Sequence, residues 1–313
     1  MLALLLLACD APRTDRLPIA GPYDEPDTGN VWSADTGAAD EAPADADSEP
    51  SDRSDPTDAR CSGDPSEPLS AAGLAQALAL ADSSTLGSIE DVESRIAELS
   101  AIFSACGDSR GLFTAAYLPI TQRAVAQVRA GAYDDTEWAE ALVEDFAGRY
   151  LDALHAHLSG EDPGYEWGRY YALAADAGAS RARVVGTGVA VHLIVDLPRT
   201  LVAIETPDAR EEDYLRFGAD LVAVSDGVIA SVEEAHGVEA EALFTGFFVG
   251  DWLDAAFGDA FTTTFAFTAI RGKAWNNRWL LQNGWSWLAE SEIAASFTTV
   301  DLLFAALDAQ GTL

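Results

Sequence analysis

His192 and Asp196 stand four residues apart in the run Gly188-Val189-Ala190-Val191-His192-Leu193-Ile194-Val195-Asp196-Leu197-Pro198, which is otherwise apolar. On a helix these positions share a face. The carboxylate could then orient the imidazole for proton transfer, or the two could hold one divalent ion between them. Gly186 and Gly188, one to two turns earlier, leave room for a neighbouring helix to approach closely. A polar pair among apolar neighbours must be satisfied by something. An arginine, a tyrosine or a backbone carbonyl across a helix interface would serve, and the pair would then hold helices together and not react. The spacing leaves both readings open.

A second concentration of chemistry lies late in the chain, where Arg271, Lys273, Trp275, Asn276, Asn277, Arg278, Trp279, Gln282, Asn283, Trp285 and Trp287 follow one another closely. Arg271, Trp275, Arg278 and Trp279 fall on one helical face. Such a face could form a ligand groove, with arginine for an anionic group and indoles for an apolar or sugar surface. It could equally be a core face whose arginines pair with acids, Asp196 among them. Other signals are weaker. His155 and His157 are two apart and point in opposite directions on a helix, so they cannot grip one ion. His236, before Gly237, suits a helix C-terminus. Asp35-Thr36-Gly37 spells a protease triplet in an acidic tract without hydrophobic strands around it, which reads as chance. No Gly-rich phosphate loop, paired CxxC, HExxH or GxSxG occurs.

The elements that must position these residues read as helices from Leu69 to the end. Ile89, Val92, Ile96, Leu99 and Phe103 recur at three- and four-residue steps behind a Ser88 cap. Leu112 to Val128 continues the style, with an interruption expected at Pro119. Acids at 134–137 open a helix that runs to Leu158, and a shorter one covers Trp167 to Ala177. Ser180 is placed to cap the helix carrying His192, and Pro198 to kink it. Amphipathic segments follow at Glu211 to His236, Glu239 to Phe257, Phe261 to Leu288 and Ile293 to Leu307. Without strand alternation the class is all-α, a single multi-helix domain of eight to ten helices over residues 69–313.

The N-terminal part differs. Leu2 to Ala8 is far too short to span a bilayer but has the length of a signal-peptide core. Leu6-Leu7-Ala8-Cys9 resembles the lipobox of bacterial lipoproteins, in which the cysteine becomes lipid-modified, although the usual basic residues ahead of the core are missing. Residues 10–68, rich in Asp, Pro, Ala, Ser, Thr and Gly, cannot bury enough apolar surface to offset chain entropy, so a disordered acidic tether is expected. The whole chain carries a net charge of −34, which repels phosphate backbones and makes nucleic acid an improbable partner. The expected partner is a membrane, reached through a lipid anchor on Cys9, with the domain displayed outside the cytoplasm in the cell envelope. In that oxidising setting Cys61 and Cys106 are expected to form a bridge pinning the tether's end to the domain, the alternative being a buried Cys106 and a free Cys61.

The segment from Ile89 to Gln282 resembles a bacterial family catalogued only as a domain of unknown function, number 5995. Gly111-Leu112-Phe113-Thr114-Ala115-Ala116-Tyr117, with Thr121 and Val125, is similar to its first motif. Arg149-Tyr150-Leu151-Asp152-Ala153-Leu154, within Phe146 to Leu154, resembles its next helix. The family's His-x-Asn-x-Asp-Leu-Pro block falls on His192, Asp196, Leu197 and Pro198, and Ile270-Arg271 with Ala274-Trp275 resembles a last segment. The resemblance implies a helical architecture and candidate positions, but no reaction. Ile194 stands where the family pattern has asparagine, which weakens a catalytic reading. The expectation is an exported, lipid-anchored helical protein with a binding or structural role. The alternative is a hydrolase acting on a lipid, ester or phosphoester. In it His192 and Asp196 are catalytic and Arg271, Trp275 and Tyr117 contact the ligand. No cofactor is expected, and a divalent metal fits only that alternative.

Overall fold

Helix starts follow the capping chemistry written in the sequence. The Ser88 hydroxyl accepts the Asp91 N–H and opens α2 (Ile89–Ala105), after α1 (Ala71–Ala81), which Ser70 caps through Gly73. The Asp135 carboxylate takes the Trp138 N–H ahead of α4 (Thr136–Leu158), and Ser180 the Arg183 N–H ahead of α6 (Arg181–Ala203). Between these lie α3 (Leu112–Arg129) and α5 (Tyr165–Ala174), and after them α7 (Glu211–Val222), α8 (Ser225–His236), α9 (Thr264–Gln282) and α10 (Ser286–Ala309). The computed structural model describes residues 58–238 and 264–313. The described residues belong to one unit, Ser54–Leu313, and the architecture is all-α. The signal-like run, Cys9, Asp35–Gly37 and the segment 239–257 lie outside the described residues.

The structure corrects the sequence reading at five points. Pro119 does not interrupt α3, because the carbonyl it cannot serve, that of Ala115, accepts the Ser231 hydroxyl from α8 at 2.7 Å. Glu211 to His236 is two helices, α7 and α8. The helix expected to reach Leu288 stops at Gln282, because the chain turns at Gly284, whose φ of +82° suits a residue without Cβ. The last helix accordingly begins earlier, at Ser286. Finally, residues 61–69 are not open tether: β1 (Cys61–Asp64) and β2 (Glu67–Leu69) form a small antiparallel hairpin. Cys61 is bonded to Cys106 at the end of α2, with the Cα atoms 5.1 Å apart. Strands of three and four mostly polar residues carry no legible alternation.

The centre of the fold is α6, packed against α3, α5, α9 and α10. By length and composition it could cross a membrane, yet 94% of its apolar window is buried within the domain, as befits a core helix. It is α-helical over Arg181–Val191, π-helical over His192–Asp196 and α-helical again over Leu197–Ala203. In the wide turn the Leu197 N–H donates to the His192 carbonyl, five residues back. Pro198 explains the widening, since a regular helix would drive its ring into the Ile194 carbonyl and leave that carbonyl without a donor.

Candidate functional site

The π turn puts His192 and Asp196 side by side inside the core. Nδ1 of the imidazole lies 3.0 Å from Asp196 Oδ2, and the indole N–H of Trp167, from α5, donates to the same oxygen at 3.1 Å. A carboxylate oxygen only accepts, so Nδ1 carries the proton and Nε2 keeps its lone pair. Nε2 is buried and has no hydrogen-bond partner.

Rings fill the remaining space. Phe146 from α4 lies flat on the imidazole with centroids 3.6 Å apart, and Tyr117 and Phe113 from α3 meet it edge-on at 4.8 and 5.2 Å. Tyr150 and Trp167 continue the cluster behind Phe113, and the Tyr150 hydroxyl is bonded to Thr114. Gly188 admits Phe113: a Cβ there would meet the Phe113 Cβ at 2.9 Å. His192 is only 3% exposed. This burial lowers its pKa from the ordinary imidazole value, against the Asp196 hydrogen bond that raises it. Burial likewise raises the Tyr117 phenol. The site is a neutral imidazole, oriented by a carboxylate, in a buried aromatic cage.

Of the residues expected from sequence, Tyr117 joins this pair and Arg271 and Trp275 do not. The Arg271 guanidinium sits over the Tyr214 ring of α7 at 4.1 Å and donates to the Tyr214 carbonyl, while the Tyr214 hydroxyl donates to the Arg271 carbonyl at 2.8 Å. Gly218 leaves room for it, since a Cβ there would lie 2.5 Å from Arg271 Nε. Trp275 stacks on the other partner of this ladder, with centroids 4.8 Å from Tyr214, and Arg278 covers Trp275 at 4.0 Å. Arg278 is buried and donates to the Thr206 carbonyl and the Asp208 carboxylate. This face is therefore core on the side of Arg271, Trp275 and Arg278, and Trp279 alone of the four stands exposed.

Sequence reasoning missed Trp167, which nothing distinguishes locally from any other core indole, and the part played by Phe146. Both lie next to His192 only because α4 and α5 fold back on α6. As a metal site the donor set does not fit. Asp196 Oδ2 is already occupied by two N–H groups, Nε2 is buried within the aromatic core, and no group of three His, Cys, Asp or Glu side chains capable of holding an ion exists among the described residues.

A family model described as a family of unknown function (DUF5995) matches residues 89–307, a span running from α2 into α10 that holds every residue of the cage. No curated protein and no solved structure matches the chain. Three of the four segments that carried the resemblance, 111–117, 146–154 and 192–198, converge on one imidazole, and the fourth, with Arg271 and Trp275, packs on Tyr214 instead.

Proposed function

The chain belongs to this family of unknown function, and from that premise we propose that it is an exported, lipid-anchored helical scaffold that works by binding through its surface, with His192, Asp196 and Trp167 as the keystone of its core. One observation carries this reading: the polar trio closes on itself behind Phe113, Tyr117 and Phe146, with the imidazole sealed from solvent. The Trp167–Asp196 bond fixes how α5 meets α6, because any other arrangement leaves the buried carboxylate short of a donor, and the rings of α3 and α4 pack around the imidazole. The lipobox at Cys9 supports the anchor, and the acidic composition supports display in an aqueous compartment. The test is paired. Intact mass of the native chain should show an acylated Cys9. His192→Ala should lower the melting temperature while esterase and phosphoesterase assays show no activity that depends on His192. An enzymatic activity abolished by His192→Ala in a chain that still folds would overturn it.

A hydrolase is the second reading, favoured by the partnerless Nε2. A lone pair on an imidazole whose Nδ1–H is held by a carboxylate is what a general base requires. That lone pair lies in the plane of the ring, so in this arrangement the buried edge at Nε2 would have to open before any substrate reached it.

A further inference from the structure

The turn joining α9 to α10 exposes indoles that the core does not use. Trp279, Trp285 and Trp287 are 45%, 49% and 67% exposed, and Leu288 beside them is exposed as well. α10 turns Ala289, Ile293, Phe297 and Phe304 inward, leaving its first turn outside. The turn is held firmly: the Asn283 backbone and side-chain N–H groups donate to the Trp279 carbonyl, and the Trp285 N–H to the Leu280 carbonyl. From Trp279 to Ala289 there is no charged residue, in a chain with 52 acidic and 18 basic side chains.

We propose that this turn is a membrane-docking tip, which seats Trp285, Trp287, Trp279 and Leu288 in the interfacial layer of a zwitterionic bilayer. Indoles favour that layer, where the ring is half apolar and its N–H stays wet. The local absence of charge spares the tip the cost of carrying ionised groups into that layer. A second copy of the chain is a poorer occupant. Three indoles that each bury about 150–250 Å² when covered, here already half covered, offer roughly 400 Å², short of the ~800 Å² per partner of a stable interface. The proposal rests on the lipid-anchored reading for the nearness of the membrane. The 48 residues from Asp10 to Thr57 span at most about 170 Å when extended, so an anchored domain never leaves that distance.

The experiment uses the full chain carrying Cys9→Ser, which cannot be acylated, with and without Trp285→Ser and Trp287→Ser, in sedimentation with sucrose-loaded phosphatidylcholine–phosphatidylethanolamine vesicles. Serine suits the helix-capping position of Trp285, and an unchanged melting temperature establishes the fold. Trp287→Glu is a second variant that keeps the helix. The Cys9→Ser chain should bind, both tip variants should partition at least about tenfold less, and raised salt should leave binding unchanged. Failure of the Cys9→Ser chain to sediment, or equal sedimentation of the tip variants, overturns the proposal. So does a concentration-dependent dimer that the tip variants abolish without any vesicle binding. Acylation of Cys9, read by mass on the native chain, reports on the anchor separately, so the two readings fail independently.

Discussion

Phe146 lies flat on the His192 imidazole, with ring centroids 3.6 Å apart and planes within 11°. Stacking at that distance closes one face of the imidazole and leaves only its edges for hydrogen bonding. One edge is taken by Asp196, and Nε2 on the other meets no donor. The ring therefore behaves as packing material with one directional bond, and the cost of removing it follows from both roles.

His192→Ala should destabilise the domain by roughly 2–4 kcal/mol, the sum of a large-to-small cavity and a carboxylate deprived of one donor. Trp167→Phe, which keeps most of the ring and removes only the indole N–H, should cost about 1–2 kcal/mol. Both donors serve one oxygen of Asp196, so the double variant should depart from additivity. Urea unfolding of the four proteins measures this. Additive losses would show that the two bonds act independently.

Stability should fall as the solution is acidified below about pH 6.5. His192, His157 and His236 all have their pKa lowered, first of all by burial, from the ordinary 6.5. Between the folded and unfolded values the unfolded chain binds more protons, so the stability these groups contribute is complete above the unfolded pKa and is lost as pH drops through the folded ones. The ion-paired carboxylates act lower down. Asp58 beside Arg60 and Glu90 beside Arg129 are held at about 2, so their contribution is lost only in stronger acid. His157→Phe keeps the ring that stacks on Tyr171 at 3.9 Å and removes a proton site. Its urea midpoint should vary less between pH 7 and pH 5 than that of the parent chain.

Reducing the Cys61–Cys106 bridge should lower stability by about 4 kcal/mol, the chain-entropy value for a bridge closing a loop of this length, with 45 residues of separation between the cysteines. The hairpin should be the first part released, since β1 and β2 have little core of their own beyond Leu69. A double serine variant followed by thermal melting, with hydrogen exchange of residues 61–69, reads both effects.

How legible these features were depends on the range of the interaction that sets them. The caps at Ser88, Asp135 and Ser180 are local chemistry, and each appears where the sequence places a helix start. The shared face of His192 and Asp196 is local too, and spacing suffices to bring them together. Which arginine meets which ring is not local. Arg271 was as good a partner for Asp196 as any on helical spacing, and what sends it to Tyr214 is the space left by Gly218 on α7, a helix it meets only through tertiary packing. Trp167 completes the Asp196 carboxylate from 29 residues upstream. The π turn likewise depends on α6 continuing past Pro198 within a packed core, where a proline alone would equally have allowed a break.

The same non-local logic gives the sharpest prediction, at Pro119. A proline in mid-helix leaves the carbonyl four residues back without a donor, and in α3 that carbonyl, Ala115, is served by Ser231 of α8. Ser231→Ala should therefore cost about 1–2 kcal/mol, more than a half-buried serine ordinarily would, because it orphans a carbonyl on a buried residue. Pro119→Ala supplies an N–H to that carbonyl from within the helix. In the Pro119→Ala background the Ser231→Ala penalty should shrink to a few tenths of a kcal/mol, the value of an ordinary surface change. Equilibrium unfolding of the four chains yields the coupling directly. An undiminished Ser231 penalty in the alanine background would mean that the hydroxyl matters for some reason other than the carbonyl it now satisfies.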